Sequence, residues 1–278
     1  VTTPILLLVL AAAALHAIWN ALVKHGADPV FRLGIVALTG SAIALPLLPF
    51  VTVPSAASWP WLLGSLAAHV GYYVTLAFAY RTGELSIVYP VARGVAPPLV
   101  ALGGVTLAGE HLLPAQLFAV GLICGGILLL VLLGQATRNG LHSLWLAVGC
   151  GLTIAAYTLC DGIAGRLSGD PLGYIVWLFL LDGSFGVAVL WFRRETLGSD
   201  LRRGVLPSIA GGALSMLAYG LVIWAMTMAP MALVSAVRET SVVLAAAIGC
   251  WMMGEGLGTR RVASAALVAF GIVALKLW

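Results

Sequence analysis

The chain has 278 residues, 62% of them hydrophobic and only 9% charged, with a formal net charge of +4 and a mean hydropathy of +1.08. Soluble domains carry about 25% charged residues, so these side chains cannot coat a water-soluble surface. The 33 glycines follow no Gly-X-Y period and the prolines number 13, which excludes a collagen-like or low-complexity chain and leaves a polytopic membrane protein.

Apolar runs bounded by charge, Pro or Gly clusters predict ten spans, near residues 3–25, 30–50, 58–80, 85–108, 112–134, 141–165, 171–192, 205–228, 231–253 and 260–277. The first lacks a basic n-region and extends to Lys24, so it is expected to be a true span rather than a signal peptide. Several spans start just after a proline (Pro29, Pro114, Pro171, Pro230), where the missing N–H costs nothing. Span four carries Pro90, Pro97 and Pro98, which are expected to kink or interrupt it. The runs are continuous rather than alternating, so the fold class is an all-α membrane bundle, not a β-barrel. Cys124, Cys150, Cys160 and Cys250 fall inside spans without CxxC or metal-ligand spacing and read as packing residues. No metal or other cofactor is expected. Gly121 and Gly125 form a GxxxG in span five, a pattern this glycine-rich chain produces by chance.

A shift of 142 to 145 positions lays the second half over the first. Lys24 and Asp28-Pro29 fall on Arg166 and Asp170-Pro171, and Arg93 with Gly109-Glu110 falls on Arg238 with Gly254-Glu255. Each copy, 1–135 and 141–278, holds five predicted spans. Because five is odd, the second copy must start from the opposite face, which makes the pair an inverted repeat about an axis in the membrane plane. Secondary transporters are commonly built this way.

Three segments carry a family likeness: His16-Ala17-Ile18-Trp19-Asn20 with Lys24, Tyr89-Pro90-Val91-Ala92-Arg93-Gly94 before Gly109-Glu110, and Arg238-Glu239-Thr240 before Gly254-Glu255. Together the chain resembles the EamA-type members of the drug/metabolite transporter superfamily over its whole length. The resemblance implies a ten-helix carrier with a central cavity, the last helix of each half being peripheral. Characterised members of this type export amino acids, other small metabolites or drugs, and some import nutrients.

Of the Lys and Arg residues, ten (Lys24, Arg32, Arg81, Arg138, Arg193, Arg194, Arg202, Arg203, Arg260 and Arg261) fall in loops on one face, and only Arg166 and Lys276 on the other. By the positive-inside rule the first face is cytoplasmic and both termini lie outside, in contrast to the cytoplasmic termini of many EamA-type relatives. The expected location is a cell membrane, of the bacterial inner-membrane type. The basic loops account for the net charge, and no basic module with interleaved aromatics points to nucleic acid.

Five ionisable residues fall inside spans: Arg93, Asp161, Asp182, Arg238 and Glu239. Each costs about 2.5–3.5 kcal/mol at a helix centre, so they must face one another, a cavity or water. Asp182 reads as part of an internal salt bridge. Arg93 and Arg238 start from opposite faces in an inverted repeat and both fall near the midplane, where transporter sites lie and where a guanidinium can hold a carboxylate by two hydrogen bonds. Glu239 or Asp161 is the expected proton-coupling acid, with a fixed counter-ion as the other reading of Glu239. His16, Trp19 and Asn20, together with His69, Tyr72, Tyr73 and Tyr80, form stripes at helical spacing. Tyr89 precedes Arg93 and Tyr157 precedes Asp161 by one turn.

Substrate-binding candidates are therefore Arg93, Arg238, Glu239, Trp19, Asn20, His16, Tyr89, Tyr72, Tyr73, Tyr157 and Asp161. The set suits a small zwitterion and, less well, a pure cation. The expected function is secondary transport of a small polar, amino-acid-like metabolite, with a small-molecule substrate, the lipid bilayer and a coupling proton as partners, in a monomer or homodimer. A multidrug or quaternary-cation exporter is the alternative within transport. A polytopic membrane enzyme is disfavoured, since no HExxH, nucleophile elbow or interfacial aspartate cluster is present. A reporter fused after Trp278 is expected to be active only outside the cytoplasm, and a cytoplasmic signal would reverse the orientation.

Overall fold

A computed structural model describes residues 2–24, 28–82, 85–132, 140–196, 205–245, 247 and 259–277. Every regular element among them is helical. In chain order α1 is Thr3–Lys24, α2 Pro29–Ala44, α3 Trp59–Thr82, α4 Leu85–Ala108, α5 Pro114–Leu132, α6 Gly140–Leu167, α7 Pro171–Phe192, α8 Leu206–Met228, α9 Met231–Arg238 and α10 Thr259–Leu277. A 3-10 segment, Leu45–Phe50, extends α2.

Among the described residues, six segments are long and apolar enough to cross a membrane: Thr3–Val23, Pro29–Phe50, Pro90–Ala108, Trp145–Leu167, Pro171–Phe192 and Leu206–Met228. Phe50, Phe192, Trp191 and Leu206 stand exposed, while Arg93, Arg238, Glu239, Asp161 and Asp182 are buried. This reverses the pattern of a water-soluble protein and suits a surface solvated by lipid.

Two expectations about helix continuity change places. Span four was expected to break at its prolines, yet α4 runs unbroken through Pro90, Pro97 and Pro98. Proline removes an N–H donor but can be accommodated where neighbouring helices hold the segment in place, and α4 packs along both α5 and α6. The interruption falls instead in span nine, expected to be continuous over 231–253. There α9 stops at Arg238, Glu239 and Thr240 form a turn, and helix resumes at Ser241. Backbone bonds of 3-10 spacing from Val242 N to Glu239 O (3.1 Å) and from Val243 N to Thr240 O (3.0 Å) tighten the turn.

The two Asp-Pro steps do the same local work in each half. Asp28 Oδ1 accepts from Phe31 N (3.1 Å) to cap α2, and Asp170 Oδ1 accepts from Leu172 N (3.1 Å) to cap α7. Proline follows each at the first helical position, as helix starts favour. The second oxygen of each aspartate reaches across to the end of the other copy's second helix. Asp28 pairs with Arg193, and Asp170 Oδ2 accepts from Thr52 N (3.1 Å) and Thr52 Oγ1 (2.9 Å).

Packing pairs helices at corresponding positions of the two halves. α2 lies along α7 and α5 along α10, pairs that map onto themselves when the halves are exchanged. The α1/α8 pair maps onto α6/α3, and α4/α6 maps onto α9/α1; all four contacts are present. The α2/α7 contact is close enough that a Cβ on Gly186 would lie 2.5 Å from Gly34 O. A Cβ on Gly121 or Gly125 would meet nothing within 4 Å, so among the described residues the GxxxG makes no close helix contact.

At one end of the bundle an ion pair ties four helices together. Arg166, in the last turn of α6, bonds Glu110 Oε1 (2.6 Å), Met226 O (2.8 Å) and Ala229 O (2.9 Å). Glu110 in turn accepts from Met231 N at 2.8 and 3.1 Å. The arginine thus caps the carbonyl end of α8 and the glutamate the N–H end of α9, each with the charge the helix terminus favours. Gly109, at φ +64°, makes the left-handed turn after α4 that delivers Glu110, a conformation glycine adopts without strain. Glu255, its counterpart in the repeat, lies outside the described residues.

Desolvation at Asp170 opposes ionisation, but hydrogen bonds from Gly173 N, Thr52 N, the Thr52 hydroxyl and Leu172 N outweigh it and hold the carboxyl below its ordinary range. A depressed folded-state pKa stabilises above the unfolded value and loses that contribution as pH falls through the folded value. Asp170→Ala is expected to cost about 0.5–2 kcal/mol, as lost helix caps do. The gap in melting temperature from wild type should persist at neutral pH and narrow only below about pH 4, the ordinary aspartate value.

Candidate functional site

The pairing of α1 with α8 and α3 with α6 leaves a small cleft between the halves, with a cavity volume of about 60 Å³. α1 lines it with His16 and Trp19, α2 with Leu33 and Val36, and α3 with His69, Tyr72 and Tyr73. Tyr157 of α6, Leu178, Phe179 and Asp182 of α7, Ser215 and Tyr219 of α8, and Arg238 of α9 complete the lining. α5 and α10 contribute none of these residues, in keeping with the peripheral place the resemblance gives the last helix of each half.

Behind the cleft lies a buried charge network. Arg93 Nη1 donates to Glu239 Oε2 (2.7 Å), and Arg238 donates to Glu239 Oε1 through Nη2 (2.8 Å) and Nε (3.1 Å). All three residues are at most 2% exposed. Side chains at i and i+1 of a regular helix do not face each other; Arg238 and Glu239 pair through the reach of the long arginine side chain, and the helix departs from α geometry directly after them. Arg93 is also in close contact with His16 Nε2, while Trp19 Nε1 lies 3.1 Å from His16 Nδ1. A neutral imidazole has a single acceptor nitrogen, so His16 accepts from one of these donors at a time.

The sequence candidates divide into three groups. Trp19, His16, Tyr72, Tyr73, Tyr157 and Arg238 are brought together around the cleft. Arg93 and Glu239 sit in the network but do not line the cleft. Asp161 is fully buried, accepting from the hydroxyls of Tyr174 (2.7 Å) and Tyr219. Asn20 donates to His16 O of its own helix (2.8 Å) and is not a lining residue. The side chains of Tyr89 and Tyr80 lie outside the described residues.

Some lining residues were not legible as such. Asp182 read as half of an internal salt bridge, but among the described residues no ion pair involves it. It lines the cleft and accepts from Tyr73 OH (2.7 Å). Tyr219 and Ser215 carry no pattern that separates them from packing residues. Tyr219 could have been sought by its fixed place one helix turn before Ile223 on an apolar face, but that spacing holds for many core residues.

The aromatic lining is mutually packed. His69 stacks on Tyr157 (centroids 4.4 Å apart, 12° between planes), and Tyr219 meets Tyr157 edge-on at 5.6 Å. The Arg238 guanidinium lies 5.8 Å from the centroid of Tyr157 and 5.7 Å from that of Tyr219, within cation–π range. Among the described residues its Nε and Nη2 have acceptors and its Nη1 has none, so the cleft is offered one edge of a guanidinium whose position the ring faces and Glu239 already set.

Removing one partner of a buried ion pair leaves an uncompensated charge and costs about 3–5 kcal/mol. Glu239→Ala, which leaves two guanidiniums facing each other, is expected to destabilise the protein by that order. Arg93→Met in the Glu239→Ala background should recover part of the loss, read as melting temperature in detergent. Additive losses from the two substitutions would mean that the pair is not coupled.

A family model described as the EamA-like transporter family matches residues 141–277. A solved crystal structure aligns with 99% of this chain and 96% of its own at a TM-score of 0.76 and 16% identity, a likeness of fold alone. No curated protein matched the sequence. With its apolar outer surface and membrane-length helices, the chain is a multi-pass membrane protein of the EamA-like transporter family, within the drug/metabolite transporter superfamily.

Proposed function

We propose that the protein is a secondary active transporter that moves a small polar metabolite, amino-acid-like or zwitterionic, by alternating access. The observation that carries this reading is the Arg238 guanidinium, buried, lining an aromatic cleft between the halves and with Nη1 unspent. Such a group binds a carboxylate strongly because the low-dielectric surroundings leave the pair little competition from water. Arg93 acts behind it: by sharing Glu239 it keeps that carboxylate from neutralising Arg238 alone.

Alternating access is supported by the helix pairing, which is nearly unchanged when the halves are exchanged. Two five-helix copies, 1–135 and 141–278, facing opposite ways can swap the roles of open and closed side by small rearrangements around a fixed site. The turn in α9 places the paired arginine and glutamate beside a helix interruption, a common site of ligand contact in carriers. In this reading the membrane is a bacterial-type inner membrane, with both termini outside.

A coupling proton requires an acid that is not locked. Glu239 between two guanidiniums suits a fixed counter-ion. Asp161 is the better placed of the two sequence candidates, because its partners are hydroxyls and one of them, Tyr219, lines the cleft. An organic-cation exporter is the second reading, favoured by the number of aromatic rings lining the cleft.

The test is a thermal-shift screen of amino acids, aminophosphonates and quaternary ammonium compounds on the purified protein, repeated with Arg93→Ala and Arg238→Ala. Carboxylate- or phosphonate-bearing compounds should stabilise the wild type, with Arg238→Ala abolishing the shift and Arg93→Ala weakening it. Selective stabilisation by quaternary cations that survives both substitutions would move the assignment to the second reading. In proteoliposomes, transport indifferent to an imposed pH gradient would remove the proton from the cycle.

A further inference from the structure

The carboxylates described inside the bundle are not equally satisfied. Glu239 is held by two guanidiniums, Asp161 by two phenols, and Glu110 by Arg166 and the Met231 N–H. Asp182 differs: it is 6% exposed, Tyr73 OH donates to its Oδ2 at 2.7 Å, and among the described residues no donor reaches its other oxygen. Of these four carboxylates it is also the one that lines the cleft.

An ionised carboxylate with a single neutral donor in a low-dielectric interior is poorly compensated. It is not a floppy group, because the Tyr73 ring that holds it stacks on Phe185, centroids 4.4 Å apart, and Phe185 is three residues on from Asp182 along α7. The protein thus fixes a carboxylate facing the cleft with no fixed guanidinium or ammonium paired to it among the described residues; His69 is the titratable group it faces. Arg238, the positive group, comes from α9, which is not a packing partner of α7. It already covers faces of Tyr157 and Tyr219, whereas Tyr73 is bonded to the acid, with the Tyr72 ring 5.9 Å from its own.

We infer that Asp182, positioned by Tyr73 and with His69 as the titratable neighbour it faces across the cleft, is an ammonium subsite, so that the cleft reads both ends of a zwitterionic amino compound: its carboxylate at Arg238 and its protonated amine at Asp182. A primary ammonium can donate three hydrogen bonds and is attracted to the tyrosine faces beside the acid. The apolar lining residues Leu33, Val36, Leu178 and Phe179 then receive an aliphatic or aromatic side chain. This assignment rests on the cleft being the transport site and adds the group that selects an amine.

The test uses matched probe sets that differ by one group: L-phenylalanine, 3-phenylpropionate and phenethylamine, with the corresponding leucine and tryptophan sets, titrated by calorimetry into the full-length protein in detergent. Wild type should bind each amino acid at least tenfold more tightly than the acid or the amine. Asp182→Asn should weaken amino acid and amine about tenfold or more and leave the acid within twofold. Tyr73→Phe, which keeps the ring and removes the donor, should shift the same two ligands in the same direction by a smaller factor, and supplies the readout if Asp182→Asn does not fold. If the acids bind but amine recognition survives both variants, the ammonium subsite is overturned while the cleft remains the binding site. If no member of any set binds the wild type, both assignments fall.

Discussion

One carboxylate shared by two guanidiniums holds the centre of this protein. Glu239 accepts from Arg93 of α4, in the first half, and from Arg238 of α9, in the second. None of the three could be buried alone, since an unpaired charge in hydrocarbon surroundings is expelled or neutralised. Together they form a network with a net positive charge, and the surplus is directed to the cleft through Arg238. Much of the surrounding architecture serves that arrangement. Arg238 reaches back to its neighbour Glu239, the tyrosine faces share the guanidinium charge, and His16 and Thr158 complete the polar shell.

The helix interruption sits directly after the network's Arg238 and Glu239. Prolines alone do not decide where a membrane helix ends: α4 has three and stays helical, packed between α5 and α6. α9 has no proline after Pro230, yet it stops at Glu239, where a regular helix would carry the glutamate about 100° away from its neighbour. Across the turn, 3-10 bonds from Val242 N and Val243 N keep the backbone hydrogen-bonded. Outside this centre, the halves are joined by small residues and polar crossovers. Gly186 permits α2 and α7 to touch, and each Asp-Pro cap bonds the end of the other copy's second helix.

How much of this was legible in the residues follows from how local each feature is. The helices were legible, because a run of about 20 apolar residues has few alternatives. So were the helix starts at Pro29 and Pro171 and the cost of placing Arg93, Arg238 and Glu239 inside spans, because charge in an apolar run is costly wherever the chain folds. Asp182 was visible as an anomaly but was assigned to a salt bridge, since sequence gives the cost of a charge and not its partner. Tyr219 and Ser215 were not visible at all. An aromatic or hydroxyl residue in a span carries no penalty that marks it, and only the packing of α8 against α1 and α6 turns it toward the cleft. Asn20 errs the other way: it lies on the stripe of His16 but spends its amide on its own helix.

By itself, then, the amino-acid sequence determined that this chain belongs in a membrane, that it is helical, and which few charges must be compensated within it. These are consequences of solvation, which each segment meets on its own. The tertiary structure decided which charges compensate one another, where the helix gives way, and which oxygen and which guanidinium edge are left facing the cleft. Those depend on contacts between residues more than 100 positions apart, such as Arg93 with Glu239 and Tyr73 with Asp182, and no local pattern encodes a partner at that distance.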